Sequence, residues 1–453
     1  MYNKNIQIPK ARLFAALLGC VSMSALAGVS AEEAANLGTE LTPSGGEKAG
    51  NADGSIPAWT GGYTQQIPGD EPGGRRGDPF KDETPLFTVS AQNMDQYEDK
   101  LTDGVKALLR KYPDTYKLNV YPTHRTAVAP QWVYDNTARN AVNAEMDGYT
   151  LKGAYGGIPF PIPKTGLEAI NNHLLAWRGT SWEADLNQYQ ITTDGKVVLT
   201  TDGLIRQRMP YYFEEGSADG YDGYYWEVNL VNAGPPIRAG EMIVGRTNLD
   251  ADESAAYVYL TGQRRVRRLP SACCDTPTPA TAGLMSFDEL SVFSGRTDGF
   301  DWKLVGKKEM LVPYNQNRFL QYSEDNIISG HHLNPEAVRW ELHRVWVVEA
   351  TLADGKRHQA PRSLYYLDED TWQAVLGDRW DGKGQLWKSL WLFNYVMPDF
   401  PGTVQQTFGY YDLLSGEGYV ANVLNDKKFH HRPSKRWPTS TFTGQGLAAQ
   451  GVR

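Results

Sequence analysis

Two aspartates are the side chains of this sequence that most resemble an acid–base pair, since Asp298 and Asp301 flank a Gly-Phe dipeptide. Two carboxylates on either side of a substrate bond carry out glycoside hydrolysis in many enzymes. His343 and Glu349 could complete such a site if the fold brought all of these residues into one cleft. A turn before the strand predicted from Trp302 explains the two aspartates without catalysis. A hydrolase acting on envelope lipid or glycan therefore stays an alternative function.

The histidines, cysteines and acidic runs do not predict a metal site. The eight histidines include the pairs 331–332 and 430–431, but adjacent residues of an extended chain point to opposite sides and rarely share one metal. Cys273 and Cys274 are also adjacent, and no second pair of ligands stands at the spacing of a zinc site. We expect them to be two small side chains in a loop. The acidic runs 250–253 and 368–370 lack the alternating oxygens and the glycine of a calcium loop.

Known catalytic motifs are missing from the sequence as well. It contains no Gly-x-Ser-x-Gly elbow, no His-Glu-x-x-His zinc helix and no Walker or Rossmann glycine motif. Its formal net charge of −8 makes it a poor candidate for binding nucleic acid through charge. We therefore predict a protein that is not an enzyme, uses no cofactor and binds no nucleic acid.

A dense basic run stands out in this acidic chain. Its members are Arg264, Arg265, Arg267 and Arg268. On a strand, Arg264 and Arg268 point to one face and the other two to the opposite face. Ion pairs with acidic residues on neighbouring strands are the favoured explanation. The alternative is that these arginines contact an acidic head group or a partner.

The first part of the chain contains the elements that look helical. Apolar residues at helical spacing predict one helix between Met94 and Tyr112 and a second helix after Pro130. A capping box, Thr165-x-x-Glu168, predicts the start of a third helix.

From about residue 187 the spacing of the apolar residues changes to alternation, and Asp-Gly turns separate short runs. Short turns between neighbouring strands mean antiparallel pairing. We predict an α+β, mainly β fold with a single domain over residues 32–453. In it, coil and helices over residues 32–186 cover a large antiparallel sheet over residues 187–453.

The clearest predicted strand runs from residue 339 to residue 352 and has one strongly apolar face. The side chains on that face are Trp340, Leu342, Trp346 and Val348. The chain is also rich in aromatic residues, with 13 Trp, 25 Tyr and 14 Phe. Most aromatic residues form core, but a curved sheet with a wide apolar face under amphipathic helices can also enclose a lipid-sized ligand. We therefore predict that these side chains form a face for a hydrophobic ligand.

Residues 1–31 have the features of an export signal. Basic residues precede an apolar stretch, and small residues end at Ala31, where we predict cleavage. Cleavage removes three basic residues and no acidic one, so the formal net charge falls from −8 to −11. Residues 17–20, Leu-Leu-Gly-Cys, also resemble a lipobox, and a lipid anchor at Cys20 is therefore the alternative to soluble export. No later segment reaches the roughly 20 apolar residues of a membrane helix.

Several longer motifs resemble those of one bacterial family. They are LTP at 41–43, AGNADG at 49–54, IPAWTGG at 56–62, GIPFPIPK at 157–164, GQRRVRR at 262–268, DWKLVGKK at 301–308 and RWELHRVWVVEA at 339–350. Together they resemble the exported family DUF1329, a domain of unknown function related to LolA and LolB, the carriers that sort outer-membrane lipoproteins. The resemblance covers nearly the whole mature chain.

The resemblance implies a half-barrel of antiparallel strands, closed by helices around an apolar cavity for acyl chains. It implies a non-enzymatic carrier or accessory protein for a hydrophobic, lipid-like ligand in the periplasm of a Gram-negative cell. It also implies work beside an inner-membrane transporter of the resistance-nodulation-division (RND) class and an outer-membrane companion. The chain is longer than a LolA-sized carrier, and we expect its extra N-terminal third to fill or cover the cavity. A structural bridge between inner- and outer-membrane components is a further alternative.

Overall fold

The structure is a computed structural model that describes residues 28–71, 73–270 and 273–451. The α-helices in these ranges are α1 (Ala31–Ala34), α2 (Asp103–Lys111), α3 (Gln131–Asn143), α4 (Gly166–Leu174) and α5 (Gly444–Gly451). Short 3₁₀ helices connect many of the elements. Among the described residues, none of the helices combines the length and the apolar composition needed to cross a bilayer.

The strands of the first part of the chain are β1 (Phe87–Val89), β2 (Leu118–Val120), β3 (Glu145–Asp147), β4 (Thr150–Lys152), β5 (Ser181–Ile191), β6 (Val197–Arg208), β7 (Tyr224–Gly234), β8 (Met242–Asn248), β9 (Ala255–Leu260) and β10 (Arg265–Arg268). The strands of the second part are β11 (Phe300–Pro313), β12 (Ile328–Ser329), β13 (His332–Leu333), β14 (Trp340–Leu352), β15 (Arg362–Asp368), β16 (Ala374–Trp380), β17 (Leu386–Met397), β18 (Gly402–Asp412), β19 (Gly418–Val423) and β20 (Arg432–Pro433).

Sixteen of these strands form one large sheet in the order β1-β2-β14-β15-β16-β17-β18-β19-β5-β6-β7-β8-β9-β10, with β11 paired to β14 and β20 paired to β5. Its neighbours are antiparallel, except that β2 meets β14 in parallel at the single pair of Val120 and Trp340. Over the described residues, the order has two ends that do not pair with each other, so the sheet is open. The predicted mainly β fold with a large sheet is confirmed.

The sheet bends where its long strands carry β-bulges. Register shifts occur in β5 after Gln188, in β6 after Asp202 and in β7 after Tyr224. Each bulge adds a residue to one strand, which bends that strand and increases its twist. Further register shifts occur along the rest of the sheet, so it is bent at many places.

Burial divides the sheet into two regions. In β16 and β17 nearly every residue is buried on both faces, whereas burial along β5, β6 and β7 alternates with residues that keep accessible surface. We call β11 and β14–β17 the packed half. We call β5–β9 the hollow half, together with β18 and β19, which are buried but contribute side chains to the cavity described below.

The packed half is covered by the part of the chain that precedes α3, which we call the N-terminal segment. The backbone oxygen of Ser44 accepts a hydrogen bond of 2.7 Å from Trp372 Nε1, and Arg344 donates to the backbone oxygen of Ala49 at 3.0 Å. Buried Arg125 forms an ion pair with Asp370 at 2.7 Å. The N-terminal segment therefore covers the packed half, and β5 begins six residues before the predicted boundary at residue 187. The division into one domain with a cover over residues 32–186 stays a prediction.

The predicted helices form with one difference. The helix after Pro130 is α3, and Thr165 caps α4 by accepting from the backbone N–H of Glu168. The helix predicted between Met94 and Tyr112 is instead a 3₁₀ helix, Met94–Lys100, followed by α2. The chain is extended at Leu101, and the hydroxyl of Thr102 starts α2 by accepting from the backbone N–H of Val105. The N-cap at Thr102 therefore determines where α2 begins, although apolar residues at helical spacing also precede it.

Candidate ligand cavity

A cavity of about 440 Å³ lies against one face of the hollow half. Pockets for small molecules typically have volumes of about 300–1,000 Å³ and mostly apolar walls. The apolar wall of this cavity includes Trp182, Ile205, Val228, Leu230, Ile243 and Phe408. The cavity is therefore large and apolar enough to hold part of a lipid.

Alternation along β7 shows how the sequence places these side chains. Trp226, Val228 and Leu230 line the cavity. The intervening Glu227 and Asn229 point to the other face, where Asn229 Nδ2 donates to the backbone oxygen of Thr441 at 2.9 Å. Because side chains alternate between the two faces of a strand, one short sequence supplies both an apolar wall and a polar outer layer.

The roof of the cavity consists of α4 and the segment 273–297, and His173 joins this roof to the sheet. His173 Nε2 lies 2.9 Å from the backbone oxygen of Phe293, and His173 Nδ1 accepts from the backbone N–H of Ala374 at 2.9 Å. Burial lowers the pKa of His173 to about 4. The ring is therefore neutral at pH 7, with one nitrogen that donates and one that accepts.

Exposed lining residues mark the opening of the cavity. They include Tyr149, Asp252 and Arg268. Asp252 forms an ion pair of 2.7 Å with Arg296. The opening is therefore polar and charged, whereas the wall behind it is apolar.

The inner part of the cavity holds polar groups without hydrogen-bond partners among the described residues. These atoms are Trp182 Nε1, Gln406 Nε2 and Gln405 Oε1. Trp182 and Gln406 both contact His431, the former by ring packing at 4.0 Å and the latter by a hydrogen bond of 3.2 Å. Both residues are almost completely buried, so these polar atoms are shielded from water.

Arg178 is a cation in the wall of this cavity. Its Nη2 donates to the backbone oxygen of Leu174 at 2.7 Å. No carboxylate among the described residues forms an ion pair with it, and the titratable groups that act on it are the phenols of Tyr225 and Tyr212. Burial lowers the pKa of Arg178, and burial also raises the pKa of Tyr225 to about 12. Arg178 therefore brings an unpaired positive charge to an otherwise mostly apolar wall.

The predicted ligand face lies in the packed half. Trp340, Leu342 and Val348 are buried in the main hydrophobic core, and half-buried Trp346 stacks on Trp372 with 6.2 Å between ring centroids. None of these side chains is among the described residues that line the cavity. The N-terminal segment and α4 cover this part of the sheet, which leaves no room there. A ligand role for these residues stays a prediction.

The arginine run lies at the end of the sheet. Arg264 is in a turn with positive φ, and Arg265, Arg267 and Arg268 belong to β10. All four side chains are exposed, and none forms an ion pair with a carboxylate of the described residues. The favoured explanation, ion pairs with acidic residues on neighbouring strands, therefore does not describe them. Arg268 lies at the opening of the cavity, which is the position that a contact with an acidic head group would require.

The residues of the hydrolase alternative do not converge. Asp298 is paired with Arg296 at 2.8 Å, and Glu349 with Arg362 at 2.9 Å. His343 lies in the core, 3.0 Å from Glu341, and Asp301 is exposed at the start of β11. The described residues also contain no group of three or more His, Cys, Asp or Glu arranged to hold a metal ion.

Two further predictions concern the cysteines and the N-terminus. Cys273 and Cys274 lie in the loop at the edge of the roof, with 2.6 Å between their Sγ atoms, and Cys273 lines the cavity. The lipobox cysteine, Cys20, lies outside the described residues. Ala31 is the first residue of α1, which Ser30 caps, and cleavage there stays a prediction.

Sequence reasoning missed the residues of the actual cavity, although one signal pointed to it. β17 reads as a nearly continuous apolar run, which is typical of a strand covered on both faces. β7 alternates apolar and polar residues, which is typical of a strand whose two faces differ. Arg178 gave no signal at all, because the lack of a partner is a property of the tertiary structure.

The fold and the cavity together define a mainly β protein that encloses an apolar internal site under a short helical roof. The chain belongs to the DUF1329 family, described as a protein of unknown function, whose family model matches residues 88–448. An uncharacterized protein of Pseudomonas aeruginosa is 38% identical over 449 residues, which cover 96% of this chain and 97% of that protein.

Solved structures with related folds are more distant. A DUF1329 family protein from Desulfovibrio piger is 16% identical, with a TM-score of 0.40, and the match covers 59% of this chain and 92% of that chain. A putative outer membrane lipoprotein-sorting protein domain from Vibrio parahaemolyticus is 13% identical, with a TM-score of 0.44, and the match covers 62% of this chain and 98% of that chain.

Proposed function

We propose that this protein is a non-enzymatic carrier that binds a hydrophobic, lipid-like ligand in the cavity of the hollow half. The observation that carries this proposal is a cavity of about 440 Å³ with an apolar wall and a charged opening. Apolar surface that faces water is costly, so a ligand that covers Trp226, Val228 and Ile243 would be favoured to stay.

The first 31 residues of the sequence support a location in the periplasm. Residues 1–31 have the features of an export signal, and the aqueous compartment between two membranes is where an acyl chain needs shielding. We propose that the carrier works with a transporter of the RND class and with an outer-membrane companion, as the family resemblance implies.

Filling the cavity tests the carrier function. Val228→Trp places an indole inside the cavity, and Val198→Trp is the matched control on an exposed part of β6. We expect the wild type and the control to bind the apolar fluorophore 1-N-phenylnaphthylamine, and the filled variant to lose at least about tenfold in affinity. Native mass spectrometry of protein purified from periplasm should show co-purifying lipid with the wild type and with Val198→Trp, in which the cavity is open. It should show less lipid with Val228→Trp, in which the cavity is filled.

Equal fluorophore binding by both tryptophan variants would contradict a ligand site in this cavity. The absence of both fluorophore binding and co-purifying lipid in the wild type would overturn the carrier function altogether.

Crosslinking in cells separates the carrier from the structural bridge. A photo-crosslinker at Arg268, beside the opening, should capture a transporter or an outer-membrane protein only transiently and in proportion to ligand supply. Constant capture of both partners at once would favour the bridge.

A further inference from the structure

We propose that the cavity takes a single-chain amphiphile with its acidic head group inward, so that Arg178 binds the carboxylate of a long-chain fatty acid. This inference rests on the proposed function, because it names the class of ligand that the same cavity holds.

The first support is the unpaired charge of Arg178. A guanidinium stays protonated in proteins, and a charge removed from water is costly unless an opposite charge accompanies it. Among the described residues no carboxylate pairs with Arg178, and the backbone oxygen of Leu174 supplies only one acceptor. A carboxylate from outside the chain would supply the missing charge and could accept two parallel hydrogen bonds from the guanidinium.

The second support is the set of donors in the inner part of the same cavity. Trp182 Nε1 and Gln406 Nε2 are buried N–H groups that lack an acceptor among the described residues. A carboxylate is an acceptor with four lone-pair sites, so it matches these donors as well as Arg178. Gln405 Oε1, an acceptor, also lacks a partner and could accept from a hydroxyl group near the head of the ligand.

The opening offers a weaker place for the head group. Arg296 already has acidic partners there, Asp252 and Asp298. Arg268 has none among the described residues, but its side chain is exposed, where water and salt reduce the energy of an ion pair. The half-buried Arg178 therefore favours entry with the carboxylate first, and the acyl chain then lies along Val228, Leu230 and Ile243.

Chain-matched ligands test this proposal. Dodecanoate and 1-dodecanol have the same chain length and differ in the charge of the head group, and their affinities at pH 7.5 can be measured by displacement of 1-N-phenylnaphthylamine. We expect the wild type to prefer dodecanoate by about 10- to 100-fold, the range of a charge-assisted hydrogen bond. Arg178→Gln should abolish the preference, because it should weaken dodecanoate binding far more than dodecanol binding, and Arg178→Lys should keep part of it.

Arg268→Gln is the matched control at the opening, and it should keep the full preference. A preference that survives Arg178→Gln and disappears in Arg268→Gln would overturn the inward orientation. Equal affinity of the wild type for both ligands would overturn the acidic head group and leave the carrier function intact, whereas no binding of either ligand or of the fluorophore would remove the carrier function itself.

The thermal stability of the Arg178 variants gives a second measurement. Arg178→Gln removes an unpaired charge from a poorly hydrated place, so the ligand-free variant should melt at the same temperature as the wild type or higher. Saturating dodecanoate should raise the melting temperature of the wild type more than that of the variant. A large loss of stability in the ligand-free variant would show that Arg178 serves the fold rather than a ligand.

Discussion

The two halves of one sheet differ in what lies against them. In the packed half, a space beside Trp340, Trp391 and Phe393 has about 20 Å³, which is room for a single water molecule. In the hollow half the space has about 440 Å³. Both halves consist of antiparallel strands with apolar side chains, so strand pairing alone does not decide which half can hold a ligand.

The part of the chain that lies over each half decides whether that half can hold a ligand. The packed half meets α2 and the N-terminal segment, and buried ion pairs such as Arg125 with Asp370 join the two layers. On the side of the cavity, the hollow half meets α4 and the segment 273–297, which line the space without filling it, while α5 contacts β8 and β9. An apolar sheet face therefore becomes core or ligand site according to whether another part of the same chain fills it.

Truncation of one phenylalanine in each half should give the largest contrast. Phe393 is 2% exposed and packs on Phe319 with 5.1 Å between ring centroids, so Phe393→Ala should cost about 3–5 kcal/mol of unfolding free energy. Phe408→Ala should cost less, about 1–3 kcal/mol, because one side of this ring already faces the cavity. Urea denaturation measures both values, and equal losses would break the distinction between the halves.

A buried carboxylate tests whether the packed half is dry. Glu341 is fully buried on β14 and contacts Arg339 and His343. Glu341→Gln removes one charge and leaves Arg339 less well paired, and we expect a loss of about 2–4 kcal/mol. Glu349→Gln, at a partly exposed pair on the same strand, is the control and should cost less than about 1 kcal/mol. Similar losses for both variants, read from the same denaturation curves, would mean that water reaches Glu341.

The pH dependence of stability should have opposite signs at two histidines. Burial by itself would lower the pKa of His343, but the hydrogen bonds and charges of Asp368 and Glu341 outweigh it and raise the pKa to about 9. The folded pKa lies above the unfolded value of about 6.5, so this stabilisation is complete below pH 6.5 and disappears as the pH rises through 9. Up to about 3 kcal/mol is lost in that range.

The comparison of the wild type with His343→Gln in urea at pH 6 and pH 10 isolates this effect. His173, in the roof of the hollow half, has its pKa lowered to about 4 by burial, so its contribution is present above pH 6.5 and is lost as the pH falls through 4. A difference between wild type and His343→Gln that stays constant with pH would contradict a charged His343.

Enlarging a valine should give the smallest effect and the sharpest comparison. Val348→Phe overfills a fully buried place in the packed half and should cost about 1–3 kcal/mol. Val228→Phe adds the same atoms beside the cavity, where space exists, and should change the free energy of unfolding by less than about 1 kcal/mol. A costly Val228→Phe would show that the hollow half closes in solution.

Local features were predictable from the sequence. The cap at Thr165, the helix after Pro130 and the hairpin around Gly195 all form as expected, because each depends on neighbours within a few residues. The position of the cavity was not predictable from the apolar face of β14, because the segment that covers this face is about 300 residues away in the chain. The unpaired state of Arg178 likewise depends on side chains from distant strands.

The exposed arginines of β10 have a consequence for how the molecule behaves at high concentration. β10 pairs with β9, and the structure shows no strand of the described residues on its other side, so its free N–H and C=O groups could template a strand of another chain. Its length of four residues and its row of guanidinium groups oppose that pairing, because a second copy would bring the same positive charges face to face. We therefore expect the basic run to oppose edge-to-edge aggregation, and replacement of these arginines by threonine should make the protein oligomerise.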